Sequence, residues 1–369
     1  MTLRDIDILN FKNIAEATLE FSPGLNCLLG RNGMGKSNLL EAVHFLCLAR
    51  GMSSMPESMY IRHGEKLCGI KGHFASPAGS DELVAASIVS GKGKKLKRND
   101  KTYTRISEHI GAFPLVASTP ADSNIISGPG EGRRRLTDMV ASQADPGYLQ
   151  HLIRYGRALE SRNRMLRAGV RDALLYESVE SGMAEAAAAL FASRKALFEE
   201  LSPLVAHYYS AIAGEGETVS LSYLSALAER SLPEILAANR AKDSALGFTS
   251  AGSHRDDFSA LLGDYPLRRL GSQGQTKTFA IALRFAIFRF LRDRGASAPI
   301  LLLDDIFDKL DAGRVERIIA LVGGSDTFGQ IFITDTNRRH LDETVASLGA
   351  TGDYRLWQVE RGTFTPIQA

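Results

Sequence analysis

Gly30, Gly35, Lys36 and Ser37 stand in the order G-x-x-x-x-G-K-S within "LLGRNGMGKSNLLEAV", between an apolar run and a helical pattern. Glycines at this spacing let backbone N–H groups turn inward around a phosphate chain, and the helix that follows presents the positive end of its dipole. The segment Gly30, Arg31, Asn32, Gly33, Met34, Gly35, Lys36, Ser37 and Asn38 is the predicted cradle. Lys36 is expected to reach the β- and γ-phosphates of ATP, and the Ser37 hydroxyl to coordinate Mg²⁺. The bland alternative is a glycine turn with a chance lysine.

A phosphate loop calls for an acidic residue at the end of a buried strand. "APILLLDDIFDKLD" supplies it: Ile300 to Leu303 are wholly apolar, and Asp304 and Asp305 follow, where ligands meet the carboxyl end of a parallel sheet. Asp304 is the predicted Mg²⁺-shell carboxylate. Asp305 is placed to accept a proton from the attacking water or to align it, so Asp305 and Lys36 are the predicted catalytic residues. A third polar segment, Ser272, Gln273, Gly274 and Gln275 in "LGSQGQTKTFAIALRF", caps a long helical pattern and offers another anion site. Alone it carries little weight, because such loops are common caps.

These segments lie at opposite ends of the chain, so the fold must bring them together. The N-terminal region alternates short apolar runs with turns ("LRDIDILNF", "LCGIKGHFASPAG", "ELVAASIVSG"), which predicts strands. "GKGKKLKRND" and "KTYTRI" read as a hairpin turning near Asn99 and Asp100, its lysines solvated or touching DNA phosphates. From about Pro120 the texture changes to helical patterns rich in Leu, Ala and Arg, broken by Gly, Pro and "GEGE" near Gly214. Strand texture returns with "DDFSALLGDYPLRRL", a hairpin across Gly263 and Asp264. The predicted organisation is an ATPase core in two parts, 1–120 and 245–369, with a mainly helical lobe, 121–244, inserted between them. The fold class is α/β.

With 44% hydrophobic and 23% charged residues among 369, the chain can bury a large core; a net charge of +2 requires any nucleic-acid surface to be local. Cys27, Cys47 and Cys68 form no CxxC pair, which favours buried thiols over a disulfide framework or zinc site. "MTLRDIDILNF" is too charged for a signal peptide, and "FAIALRFAIFRFL" carries Arg284 and Arg289 within far fewer than the roughly 20 apolar residues of a membrane span. No membrane partner and a cytoplasmic location are expected.

Phosphate loop, then "SQGQ", then "LLLDD" followed by Leu310 and Asp311 together resemble the head domain of the ABC and SMC class of ATPases. The likeness to the RecF family is closer and runs nearly end to end: "LNFKNI", "GLNCLLGRNGMGKSNLLEA", "GPGEGRRRLTD", "YGRALESRNRML", "GSHRDDF", "GSQGQTKTFAIAL" and "ILLLDDIFDKLD". There are departures. "GMSSMPESM" stands where a Ser-Phe-Arg stretch is frequent, and Ser253 where proline is usual. "VASTPADSN" has no glutamine for sensing nucleotide, and no clear switch histidine follows "QIFIT", where Thr334 and Asp335 are open candidates for the site.

The resemblance implies an ABC/SMC-like P-loop ATPase head with mixed sheets. It implies that two subunits sandwich ATP, each site joining Lys36, Ser37, Asp304 and Asp305 of one chain to Ser272 and Gly274 of the other, with Asp311 near the seam. It further implies weak, DNA-stimulated hydrolysis used as a switch, binding to gapped or double-stranded DNA, and RecO and RecR partners in loading the RecA recombinase. Candidate phosphate contacts are Arg154, Arg157 and Arg164, on one side of a helical pattern, and Arg133 and Arg134 near a helix start. The alternative for the first three is a solvated helix face. "HRDD", from His254 to Asp257, reads as a hydrogen-bonded turn rather than a nuclease dyad, since adjacent strand residues point to opposite faces. Two other readings share the nucleotide motifs: the ATPase subunit of a transporter, and a structural SMC-type protein, whose long coiled coil the insert lacks.

Overall fold

The computed structural model describes residues 1–52, 55–76, 79–214, 216–295, 297–324, 328–348 and 353–368. The chain opens with β1 (Thr2–Phe11), β2 (Ile14–Glu20), β3 (Leu25–Leu29) and α1 (Lys36–Leu48). Next come β4 (Leu67–Ala75), β5 (Asp81–Val89), β6 (Gly93–Arg98), β7 (Lys101–Thr102) and β8 (Leu115–Ser118). A helical stretch follows: α2 (Ser123–Ser127), α3 (Gly130–Ala144), α4 (Pro146–Arg167) and α5 (Ala173–Ala213). Then β9 (Val219–Leu224), α6 (Leu232–Leu246), β10 (Asp257–Leu262), β11 (Tyr265–Pro266), α7 (Leu267–Leu270) and α8 (Gln273–Arg294). The chain closes with β12 (Ile300–Asp304), α9 (Ala312–Gly323), β13 (Ile331–Asp335), α10 (Arg338–Ser347), β14 (Tyr354–Glu360) and β15 (Thr363–Ile367).

Two compact units result, one of residues 1–122, 211–213 and 277–369, the other of 123–210 and 214–276. The first holds two six-stranded sheets. One is antiparallel, in the order β2-β1-β4-β5-β6-β7; the other runs β15-β14-β3-β13-β12-β8 and is parallel apart from the β14–β15 pair. Helix α1 touches β1, β4 and β5 of one sheet and β8, β12 and β13 of the other. A helix so enclosed needs apolar residues all round, and Leu39, Leu40, Val43, Phe45, Leu46 and Leu48 are buried accordingly. The parallel strands β3, β12 and β13 are buried at every position, mostly apolar as a sheet covered on both faces demands, with Asp304, Thr334 and Asp335 at the carboxyl ends. The β6–β7 hairpin turns at Asn99 (φ 49°) and Asp100 (φ 63°), the two left-handed residues of the favoured two-residue turn. Within α8, Arg284 is buried against Asp122 through a two-bond pair of 2.7 and 2.9 Å, which gives the loop after β8 a structural anchor.

The second unit is helical but carries its own antiparallel sheet, β11-β10-β9. Residues 245–276, expected in the C-terminal part of the core, cluster here instead. The reason is pairing: β10 lies along β9 from Asp257↔Leu224 to Leu262↔Val219, and β11 completes the hairpin at Gly263 and Asp264. Proline does not break the insert as expected either. Helix α5 continues through Pro203 for 41 residues, about 60 Å, with Leu197, Phe198, Leu201, Val205 and Tyr209 buried on both sides of the proline. Packing outweighs the single hydrogen bond that proline forfeits. Of "GEGE", Glu215 lies outside the described residues, as do Ser53 and Ser54 of "GMSSMPESM".

Candidate functional site

Strand β3 delivers the chain into the phosphate loop, which closes directly onto the first turn of α1. Gly35 caps that helix at φ 116°, a conformation L side chains rarely adopt. A Cβ at Gly30 would come within 2.5 Å of Val359 O, so the loop threads a space that only glycine fits. Arg31, Asn32, Gly33 and Ser37 are exposed along the loop, Met34 is half-buried, and Asn38 Nδ2 donates to Asn13 Oδ1 at 2.7 Å. Lys36 is only 6% exposed, and its ammonium donates to the carbonyls of Gly30 (2.5 Å) and Arg31 (3.1 Å). Burial lowers its pKa, opposed by the fields of Asp305, Asp304 and Asp335. An ammonium held inside its own loop, beside three carboxylates and a helix N-terminus, is suited to phosphate oxygens.

Strand β12 brings the acids to this loop. Ser37 Oγ donates to Asp304 Oδ1 at 3.0 Å, and Thr334 Oγ1 donates to the same oxygen at 2.7 Å. A hydroxyl and a buried carboxylate, adjacent and both hard oxygen donors, fit Mg²⁺; Ser37 and Asp304 are the residues that would hold it, and when bound it would neutralise charge on the β- and γ-phosphate oxygens. Asp305, half-buried, leaves the strand with φ 49°. Burial raises its pKa, and the carboxylates of Asp308 and Asp335 raise it further. The carboxylate of Asp335 accepts from the N–H groups of Thr336 (2.5 Å) and Asn337 (2.9 Å) and pairs with His340 Nδ1 at 2.7 Å. The His340 ring lies edge-on to Phe307, centroids 5.1 Å apart.

Sequence reasoning had left Thr334 and Asp335 open. Thr334 touches the site directly, Asp335 acts on Lys36 and Asp305 through its charge, and His340 joins through Asp335 from the first turn of α10. Lys277 was not anticipated. Its ammonium donates to the carbonyl of Asp305 at 3.3 Å and to that of Asp308. Asp311 stands apart from this cluster as the N-cap of α9, accepting from the Arg314 N–H at 3.0 Å with its carboxylate exposed.

In the second unit, Ser272 and Gln275 form a reciprocal cap at the start of α8: Ser272 Oγ accepts from the Gln275 N–H (3.2 Å), and Gln275 Oε1 from the Ser272 N–H (2.9 Å). Gln275 also donates to Glu217 at 3.0 Å. Ser272 and Gln273 are exposed and Gly274 is half-buried.

The arginines separate into two groups. Arg154, Arg157 and Arg164 are exposed along α4, Arg154 pairing with the exposed Glu185 at 2.8 Å, while Tyr155 and Leu166 are buried. Arg133 is a correction. It is 4% exposed and committed to Asp257 through bonds of 2.6 and 2.9 Å and to the carbonyls of Ile125, Ile126 and Gly128. Arg134, half-buried, donates to Asp256 O at 3.2 Å. Both serve the "HRDD" turn, which the structure shows as a buried network. Arg194 binds Asp256 Oδ2 (2.7 Å), Ser253 O (2.8 Å), Asp138 Oδ1 (2.8 Å) and Tyr148 Oη (2.9 Å). Asp256 and Asp257 thus face different arginines.

A family model described as the RecF/RecN/SMC N terminal domain matches residues 2–353. The DNA replication and repair protein RecF of Porphyromonas gingivalis is 48% identical over 363 residues, covering 98% of this chain and 99% of the relative. Its counterpart in Bacteroides thetaiotaomicron is 44% identical over 370 residues, covering 100% of each. Among solved structures, the recombination mediator protein RecF-ATP in the RecFOR pathway superposes with a TM-score of 0.88 at 26% identity, over 100% of this chain and 98% of that one. An Smc head domain from Pyrococcus furiosus, at 18% identity and a TM-score of 0.60 over 99% and 96% of the two chains, shares the fold. Full-length identity at this level, carried on an ABC/SMC-type ATPase head, shows that the chain belongs to the RecF family of DNA replication and repair proteins.

Proposed function

We propose that this chain is an ATP-dependent DNA-binding protein of recombinational repair and replication. It binds gapped or double-stranded DNA, without reading sequence, as an ATP-bound homodimer, and it acts with RecO and RecR in loading RecA. The observation that carries the reading is the convergence of Lys36, Ser37, Asp304 and Asp305 in one unit of a chain similar throughout to a RecF-ATP structure. Lys36 binds the β- and γ-phosphates, and Asp305 aligns the attacking water. The exposed Ser272 and Gln273 and the N–H groups at the start of α8 are offered to the γ-phosphate held by a second copy. Such a dimer holds together while that phosphate is present and loosens once it is hydrolysed, so turnover acts as a timer. DNA backbone phosphates are met by the α4 arginines Arg154, Arg157 and Arg164.

Sedimentation of Asp305→Asn tests the reading, with ATP or ADP and with or without a gapped duplex. The substitution slows hydrolysis and leaves ATP bound, so ATP, alone or with DNA, is expected to give a dimer that ADP does not. A protein that stays monomeric and ignores DNA in both nucleotides would sink the two-copy switch.

A further inference from the structure

Asp305 occupies a conformation that its own chemistry does not enforce. Its φ of 49° lies in the left-handed region, costly for an L residue though tolerated by aspartate better than by most. Two groups fix it, one on each side of the residue. Its N–H donates to Thr334 Oγ1 at 3.0 Å, and its carbonyl accepts from Lys277 Nζ at 3.3 Å. The same ammonium holds the carbonyl of Asp308, so the backbone at both ends of the Asp305–Asp308 turn hangs on one side chain.

The threonine is fully committed. It is 0% exposed, and the parallel register sets it beside Asp304 on the neighbouring strand. Its hydroxyl gives its single proton to Asp304 Oδ1 at 2.7 Å and takes the Asp305 N–H on a lone pair. One hydroxyl therefore fixes the side chain of the first acid and the backbone of the second. The lysine is equally specific: its ammonium is placed on backbone carbonyls, so it sets the path of the chain as well as lending its positive field to Asp305.

We infer that Thr334 and Lys277 are positioning residues for ATP hydrolysis, holding Asp305 in the left-handed backbone that aims its carboxylate, with Thr334 also orienting Asp304. The inference rests on the proposed role of Asp305. Neither residue touches substrate on this account; each acts through the acid it holds. A water-aligning group that drifts by about 1 Å loses as much as 100-fold in rate, whereas phosphate binding by Lys36 and the loop amides is unaffected.

The test compares Thr334→Val, Thr334→Ser, Lys277→Met and Asp305→Asn in the full chain with Mg²⁺ and duplex DNA. Three quantities are read for each: the single-turnover hydrolysis rate, the ATP dissociation constant and the thermal midpoint. Valine keeps the shape and removes the hydroxyl; serine restores it. The expected result is a rate about 10- to 100-fold lower in Thr334→Val, with ATP affinity within about threefold of the parent, and recovery to within about threefold in Thr334→Ser. Thr334→Val costs less in an Asp305→Asn background than in the parent, the remainder being its hold on Asp304. Lys277→Met slows hydrolysis with the same split, and it carries the test if the valine variant does not fold. A parental rate in Thr334→Val, a parallel fall in affinity and midpoint, or failure of serine to rescue overturns the inference. A parental rate in Asp305→Asn removes the role of Asp305 and the inference with it. A slow Asp305→Asn beside a parental Thr334→Val and Lys277→Met defeats the inference alone.

Discussion

Arg162 is 0% exposed and binds Glu180, Asp243 and Thr249, each at 2.8 Å. It lies in α4 between exposed arginines, and nothing in "RALESRNRML" distinguishes it from them. Sequence periodicity sorts apolar from polar residues but cannot see a buried ion pair, because the partners arrive from α5 and α6. Arg133 was misplaced for the same reason: its partner Asp257 stands 124 residues away. The phosphate loop and the acidic strand were legible because their chemistry is local, a fixed spacing within a short segment. Thr334 and Lys277 were less legible, since each acts on Asp305 from another element. Arg162→Met should lower the urea unfolding free energy by about 3 kcal/mol or more, because Asp243 is left as a buried, uncompensated charge. Adding Asp243→Asn should recover part of that loss; an equal or larger loss in the double variant would contradict the pairing.

Helix α4 illustrates what an element contributes. One face buries Tyr148, Tyr155 and Leu166; the other carries Arg154, Arg157 and Arg164 into solvent. If DNA phosphates lie along it, Arg157→Gln should weaken duplex binding evenly across sequences and reduce the slope of log affinity against log salt by about 0.9. Binding isotherms between low and moderate salt measure this, and an unchanged slope would move the DNA to another surface. Elements were legible where turn chemistry marked them, as at Asn99-Asp100 and Gly263-Asp264, whose hairpins formed where expected. The course of α5 through Pro203 was not legible, because the burial that carries the helix past the proline is tertiary.

At the scale of the molecule, both units keep histidines buried and neutral. Burial lowers His44, His109 and His254 from the ordinary 6.5 to about 4. In His254, Nε2 donates to Thr249 O at 3.0 Å, and Nδ1 lies 2.8 Å from Tyr155 Oη, a hydroxyl that serves the neutral ring as a donor. The unfolded chain binds these protons first, so stability is complete above about pH 6.5 and is lost as pH falls toward about 4. Denaturant midpoints over that window should fall steadily, and less steeply in His109→Gln; a flat profile would mean the rings are protonated in the fold.

The order of the parallel sheet has a consequence for biosynthesis. Strand β3, which feeds the phosphate loop, is flanked by β13 and β14, both of which begin at or after Ile331. While the ribosome is still working, Leu25–Leu29 has no strand to pair with. At about 5–20 residues per second, the loop waits tens of seconds for its walls. A nascent chain that stops short of β13 therefore carries the complete G-x-x-x-x-G-K-S motif without the strands that flank β3.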